Sequence, residues 1–251
     1  MDIFAQQLIN GLVLGSVYAL VALGYTMVYG ILGLINFAHG DIVMIGALVT
    51  LAVAQALAAA GMPAPLVLLV ALIAATVVCV ALGVTIERVA YRPLRRAPRL
   101  APLITAIGVS ILLQYSAALI WGKQYISMPA LISPTHIAVA GADLTDLQAY
   151  IFGLACVVMA LLLWFIKGTR IGQAMRATEQ NPEVAGLMGI NINTVIAYTF
   201  FLGSAIGALA GVMVVLSMLL AGTIAGPVRR LADAAERVRR RIRTRVEIPD
   251  F

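Results

Sequence analysis

The chain has 251 residues, of which 62% are hydrophobic and only 11% are charged, and its formal net charge is +6. Soluble globular domains carry charge on about a quarter of their residues, so this composition excludes an ordinary soluble domain. It indicates a membrane protein, because a helix of ~20 apolar residues satisfies its backbone N–H and C=O groups internally and crosses a bilayer.

Six apolar segments are long enough to span a membrane, which predicts an all-α, polytopic membrane fold. The predicted helices cover residues 8–31, 41–60, 64–86, 101–121, 148–166 and 194–220. Gly61-Met62-Pro63 separates the second helix from the third. Glycine admits unusual backbone angles and proline cannot continue a helix, so these two helices are expected to be antiparallel neighbours.

The stretch INFAHGDIVMIGA, residues 35–47, places Asn36, His39 and Asp41 inside an apolar region. Asp41 is the only formally charged side chain between Asp2 and Glu87. Polar groups at a broken helix within a membrane suggest a translocation path or gate. The alternative is a short turn facing the cytoplasm, with Asp41 favourably placed in the first turn of the next helix, at the positive end of its dipole.

The charges of the loops predict the orientation of the helices. Residues 87–100 contain five arginines, whereas residues 122–147 contain one lysine and two aspartates. Because positive loops favour the cytoplasm, residues 87–100 and 167–193 are predicted inside and residues 122–147 outside. The last predicted helix would then place residues 223–251, with eight arginines, on the outer side, against this rule.

Glycines recur at four-residue spacing in two of the predicted helices. The pairs are Gly11 with Gly15, and the longer series Gly203, Gly207 and Gly211. Residues four apart share one helix face, and glycine lets two backbones approach closely. We interpret both series as helix-packing seams, with a position along the translocation path as the alternative.

Residues 168–192 form the longest polar stretch on the predicted inner side and read as two short helices. Asn181 is predicted to cap the second helix, Pro182 to occupy its first position and Glu183 to complement its dipole, while Gly189 ends it. A short capped helix at the membrane surface suggests a docking element for a soluble partner. A solvated connector is the alternative.

No catalytic or metal-binding motif is present. The sequence has no Gly-x-x-x-x-Gly-Lys-[Ser/Thr] phosphate loop and no His-Glu-x-x-His pair, and the two histidines are predicted in loops on opposite sides. We therefore expect no cofactor, no metal and no enzymatic activity. Transport powered by ATP would require another subunit to hydrolyse it. A secondary transporter or channel would work without an ATPase subunit. An intramembrane enzyme would need a nucleophile with its base, or a set of metal ligands, and the sequence shows neither.

Three ordered motifs resemble the LivH-type permease subunits of branched-chain amino acid ABC importers. They are GSVYALVALGYTMVYGILGLINFAHGDIVMIGA, IERVAYRPLRRAPRLAPLITAIGVSILLQ and GQAMRATEQNPEVAGLMGIN, within residues 5–215. The resemblance implies a permease of the bacterial inner membrane, with a second related permease, two cytoplasmic ATPases and a periplasmic substrate-binding protein as partners, and no nucleic acid. Amide and urea importers use similar permeases.

The resemblance also implies roles for individual residues. The segment around Glu179, Asn181, Pro182, Glu183 and Gly189 is similar to the one through which such permeases contact their ATPases. The NFAHGD stretch matches a family signature, which supports an important role for Asn36, His39 and Asp41 without establishing contact with substrate.

The C-terminal residues depart from this family. We divide the chain into a membrane-spanning domain, residues 1–221, and a basic tail, residues 222–251. Family members continue with further membrane helices, whereas the tail is rich in Arg and Ala, as a shifted reading frame of GC-rich DNA often is. We expect a frameshifted or truncated permease; a basic helix on anionic lipid is the alternative.

Overall fold

The computed structural model describes residues 2–95, 97–98, 100–122, 136–139 and 142–218. Its helices are α1 (Asp2–Leu32), α2 (His39–Ala59), α3 (Ala64–Ile86), α4 (Leu100–Trp121), α5 (Asp146–Gly168), α6 (Arg170–Gln180), α7 (Pro182–Leu187) and α8 (Ile192–Met218). A π-helical turn (Glu87–Tyr91) and a 3-10 turn (Arg92–Leu94) follow α3. Strands β1 (His136–Val139) and β2 (Ala142–Thr145) form an antiparallel hairpin before α5.

The predicted all-α membrane fold is confirmed. In the described part of the chain, six helices are long and apolar enough to cross a membrane. The main difference from prediction is α1, which begins at residue 2 instead of residue 8 because the polar residues before the apolar run continue the helix. The predicted end of the last helix, at residue 220, and the tail, residues 222–251, lie outside the described residues.

The tight turn between α2 and α3 places them side by side in opposite directions. Gly61 has φ 73°, a left-handed conformation that glycine adopts without steric cost. At the far end of the pair, the Cys79 thiol on α3 contacts the Ile42 carbonyl oxygen on α2 at 3.4 Å. The end of α3 therefore lies against the start of α2.

Helix α8 is the central helix of the described bundle. In the apolar 18-residue stretch of α8, 72% of the residues are buried, whereas the corresponding share in the other five long helices is 17–33%. Its glycines approach two neighbours: a Cβ on Gly203 would lie 3.6 Å from the Gly24 carbonyl oxygen of α1, and one on Gly211 would lie 2.6 Å from the Val43 carbonyl oxygen of α2. Backbones this close leave no room for a side chain at Gly211.

The glycines of α1 are in a different environment. A Cβ added to Gly11 or Gly15 would meet no described atom within 4 Å. In the described part of the chain this face of α1 is therefore open, and a packing role for Gly11 and Gly15 stays a prediction.

Replacing Gly211 by leucine is expected to destabilise the bundle by about 2 kcal/mol or more, because the new side chain would meet the backbone of α2. Gly11→Leu is the matched control, since the same side chain there meets no described atom. Thermal unfolding of both variants in detergent, followed by fluorescence-detected gel filtration, checks the difference. Equal melting temperatures for the two variants would contradict the packing described here.

Candidate functional site

The first turn of α2 lies inside the bundle, beside the middle of α1. The Gly40 N–H donates a hydrogen bond to the Tyr25 hydroxyl at 3.1 Å. The Tyr25 ring also meets the His39 ring edge-on, with 4.7 Å between ring centroids. Tyr25 lies two turns before the end of α1, about 10 Å along the helix axis. The chain after α1 therefore folds back before α2 begins.

This placement corrects one prediction. His39 was expected in a loop, whereas it is the first residue of α2 and only 1% exposed. The helix begins this early because the preceding segment supplies partners for its first N–H groups. Asp41 lies in the first turn of α2, as predicted.

Asn36 holds the start of α2 in place. Its Oδ1 accepts hydrogen bonds from the Ala38 N–H and the Tyr91 hydroxyl, both at 3.1 Å, and its carbonyl oxygen accepts one from the His39 N–H at 3.0 Å. Asn36 is 1% exposed. A buried amide with these partners anchors the backbone, and it links α2 to the π-helical turn that carries Tyr91.

His39 fills the space between α1, α2 and α8. A Cβ on Gly207 would lie 3.2 Å from the His39 Cε1 atom, and a Cβ on Gly24 would collide with the ring. Glycine on both neighbouring helices thus makes room for the imidazole. The His39 Nε2 atom has no hydrogen-bond partner among the described residues.

Asp41 has one satisfied and one unsatisfied oxygen. Its Oδ1 accepts a hydrogen bond at 3.0 Å from the Gln114 side chain of α4, and its Oδ2 has no partner within the described part of the chain. Asp41 is 6% exposed, whereas Gln114 is exposed. Sequence reasoning missed Gln114; the available signal was a polar amide within the apolar run of α4, one turn after Ser110.

The predicted two short helices are present at the end of α5. The Asn181 side chain accepts hydrogen bonds from the Glu183 and Val184 N–H groups at 3.0 and 3.2 Å and so caps α7. Pro182 occupies the first turn, and Gly189, with φ 85°, follows the end of the helix. These local interactions give α7 a defined conformation.

The exposed surface of α7 is apolar as well as acidic. Val184, Leu187 and Met188 are 51%, 88% and 80% exposed, and Glu183 is exposed beside them. We call these four residues the α7 surface. Its apolar members were not identified from the sequence, although a single turn containing Val, Leu and Met in a polar segment was a usable signal.

Glu179 has a different position from the α7 surface. Its Oε1 would lie 3.3 Å from a Cβ on Gly30 of α1. With Arg176, it lines a cavity of about 380 Å³ between α1, α5 and α6. Both Glu179 and Glu183 are exposed, but Glu179 lies beside α1, whereas Glu183 belongs to the α7 surface.

A largely buried ion pair follows the end of α3, and its arginine also contacts the start of α8. The Arg95 guanidinium contacts the Glu87 carboxylate and the Asn193 side-chain oxygen, and Glu87 is 2% exposed. Burial lowers the pKa of Arg95, and the negative charge of Glu87 opposes that shift. Arg95 also lines a cavity of about 580 Å³ with Thr178 and Pro182. The ion pair therefore lies between the start of α8 and the segment that contains α6 and α7.

The described residues contain no group of three or more His, Cys, Asp or Glu side chains that could hold a metal ion. The polar residues are instead arranged in two places, at the deep start of α2 and at the end of the bundle that carries α6 and α7.

Comparison with known proteins identifies a family of similar chains. Residues 7–227 match the family described as branched-chain amino acid transport system / permease component. The high-affinity branched-chain amino acid transport system permease protein BraD of Pseudomonas aeruginosa is 44% identical over 215 residues, which cover 84% of this chain and 70% of BraD. The permease protein LivH of Escherichia coli, which has the same descriptive name, has the same identity and coverage.

A separate, shorter similarity is to the sensor protein ChvG of Agrobacterium fabrum, with 68% identity over 40 residues. These 40 residues are 16% of this chain and 7% of ChvG. No solved structure matches the chain.

The ion pair of Glu87 and Arg95 predicts a measurable stability difference. Glu87→Gln removes the negative charge beside a partly buried guanidinium, so we expect a loss of about 2 kcal/mol. Arg88→Gln is the control, because Arg88 lies in the same turn but is exposed. Thermal unfolding in detergent measures both, and a Glu87→Gln protein as stable as the Arg88→Gln protein would refute the structural role of the pair.

Proposed function

We propose that this chain, which belongs to the family of permease components of branched-chain amino acid transport systems, translocates leucine, isoleucine and valine as the permease of an ATP-binding cassette importer. The observation that carries the proposal is 44% identity over 84% of the chain to permeases named for this activity. The chain is a multi-pass protein of the bacterial inner membrane, and it is a transport subunit, not an enzyme.

A permease of such an importer works with ATPase and substrate-binding proteins. In detail, we propose a second related permease, two cytoplasmic ATPases and one periplasmic binding protein as the partners. The permease contributes binding and conformational change, while ATP hydrolysis takes place on the ATPases. This division of labour agrees with a sequence that has no phosphate-binding loop.

The α7 surface is the proposed contact with an ATPase. Its four exposed side chains combine an apolar patch with one carboxylate, on a helix whose first turn is capped by Asn181. A small preorganised patch of this kind suits docking, because little conformational entropy is lost when a partner binds. Gly189 allows the chain to turn towards α8 directly after the patch.

The deep start of α2 is the proposed part of the translocation path or gate. Asn36 and His39 are buried and packed, which supports a role in holding the first turn of α2 in position. Asp41 differs from them, because one of its oxygens meets an exposed side chain of α4, while the other has no partner among the described residues. Movement of α2 or α4 would change the surroundings of Asp41 first.

Residues 222–251 are proposed to be a segment distinct from the permease domain of residues 1–221. The family match ends at residue 227, and eight of the 17 Lys and Arg residues follow Gly222.

Replacing Glu183 by lysine tests the docking proposal. Reversing the charge on the α7 surface is expected to reduce amino acid uptake by about tenfold, while membrane insertion and folding are retained because the side chain is exposed. Uptake of labelled leucine in cells and the amount of membrane-inserted permease are measured together.

Glu183→Asp is the matched control for this experiment, since it keeps the charge and is expected to keep uptake. Normal uptake by a well-expressed Glu183→Lys protein would rule out the docking role. If the unaltered importer moved no branched-chain amino acid at all, the transport proposal itself would fail.

Removal of residues 228–251 tests the domain proposal. If these residues are distinct from the permease, uptake and membrane insertion should stay within about twofold of the full chain, as expected for a terminal segment outside a folded domain. The two chains are compared at equal expression. A loss of assembly with the ATPase subunits would instead assign the tail to the transporter.

A further inference from the structure

Asp41 is a buried acid inside the predicted membrane region, and the described residues provide it with no cationic partner. It is 6% exposed. Among the described residues the one ion pair is that of Glu87 with Arg95, which does not include Asp41. The hydrogen bond from Gln114 places it along α4, 14 residues from the first residue of that helix and seven from the last. These separations correspond to about 21 and 10 Å of helix, which lie within a hydrocarbon core of about 30 Å.

The surroundings of Asp41 pair only part of its carboxylate. Its position in the first turn of α2 places it at the positive end of the helix dipole, and Gln114 donates to one of its oxygens. An ionised carboxylate at this depth is nevertheless costly, and acids within membrane helices mark functional sites for this reason. The unpaired Oδ2 atom is therefore suited to a cationic donor that arrives from outside the described structure.

Gln114 indicates which side of the molecule gives access to Asp41. Its amide donates to Asp41 and also to the Ser110 hydroxyl, at 3.2 Å, and its side chain is exposed on α4. Hydrocarbon cannot form hydrogen bonds with a polar amide, so an exposed glutamine at this depth favours water or protein beside α4 over lipid. Ser110 and Gln114 are four residues apart and share one helix face.

The same face of α4 carries apolar side chains. Ile107 and Ile111, which precede Gln114 by seven and three residues, are 42% and 49% exposed. They lie on the face of Gln114, since residues three, four and seven apart are neighbours along a helix. The α4 face, defined here as Ile107, Ser110, Ile111 and Gln114, thus combines apolar surface with a polar group next to a carboxylate.

We propose that Asp41 and Gln114 form a subsite for the ammonium group of the translocated amino acid, and that the α4 face lines the translocation path. This inference rests on the proposed transport function. An ammonium group has three N–H donors, and a carboxylate oxygen and an amide oxygen are suitable acceptors. The apolar isoleucines beside them suit a branched aliphatic side chain. A bound metal ion fits less well, because the described residues provide no cluster of metal-binding side chains.

The first test measures transport by the complete importer in proteoliposomes. Asp41→Asn keeps the shape of the side chain but removes its charge, so we expect leucine uptake to fall by about tenfold or more. Asp41→Glu is expected to retain part of the uptake, and Gln114→Leu to lose less than Asp41→Asn. ATP hydrolysis stimulated by the loaded binding protein is recorded in parallel, so that a defect in translocation is separated from a defect in ATPase coupling. Full uptake by the Asp41→Asn importer would overturn the proposal.

The second test detects access and charge directly, and it does not depend on uptake by the Asp41 variants. In a background with Cys79 and Cys156 replaced by alanine, Gln114→Cys is exposed to methanethiosulfonate reagents carrying either an ammonium or a sulfonate group. Relative to the rates of both reagents with a small free thiol, we expect the ammonium reagent to react about tenfold faster than the sulfonate reagent, because the carboxylate of Asp41 attracts it. The added Asp41→Asn substitution should remove this preference, and leucine during ATP turnover should slow the reaction.

Leu119→Cys is the matched control on α4, since Leu119 is 86% exposed but lies outside the α4 face. It is expected to react slowly with both reagents, as a residue facing lipid would. An equally slow reaction of Gln114→Cys, or a reaction without preference for the cation, would overturn the subsite. Failure of the unaltered importer to transport leucine would instead reject the transport function. The preference of Gln114→Cys for the ammonium reagent is measured without leucine uptake, so the two failures can be distinguished.

Discussion

The start of α2 within the bundle is the constraint on which the described structure depends. Hydrocarbon offers no partner to the free N–H groups of a helix end, so the protein must supply them. Asn36 and Tyr25 do so through a side-chain amide, a backbone carbonyl and a hydroxyl. Once these groups are satisfied, a polar turn is stable at this depth, and Asp41 can be held where an apolar residue would otherwise be expected.

Close packing around α8 makes this arrangement possible. Gly207 of α8 and Gly24 of α1 leave the space that His39 occupies, and Gly211 lets the backbone of α8 approach α2. Small residues serve two purposes here: they bring helices together, and they make room for a large polar ring in the interior. The deep turn and the central helix therefore depend on each other.

The two polar regions of the molecule are physically connected. Helix α8 begins shortly after α7, and its Asn193 contacts Arg95, which contacts Glu87 in the π-helical turn. Tyr91 in that turn reaches Asn36. A displacement of α7 by a partner would act on helices that share these contacts. This route supplies a physical basis for the proposed transport cycle, in which events at the ATPases alter the surroundings of Asp41.

Sequence alone determined the features that depend on neighbouring residues. The six long apolar helices, the Asn181 cap and the first-turn position of Asp41 follow from apolar length and local hydrogen bonding. Tertiary structure decided the partners of those groups. Gln114 meets Asp41 although 73 residues separate them, and identical glycine spacings lead to an open face in α1 and a tight seam in α8. The physical reason is that such contacts depend on which helix faces meet, and local spacing carries no information about the residue on the opposite side.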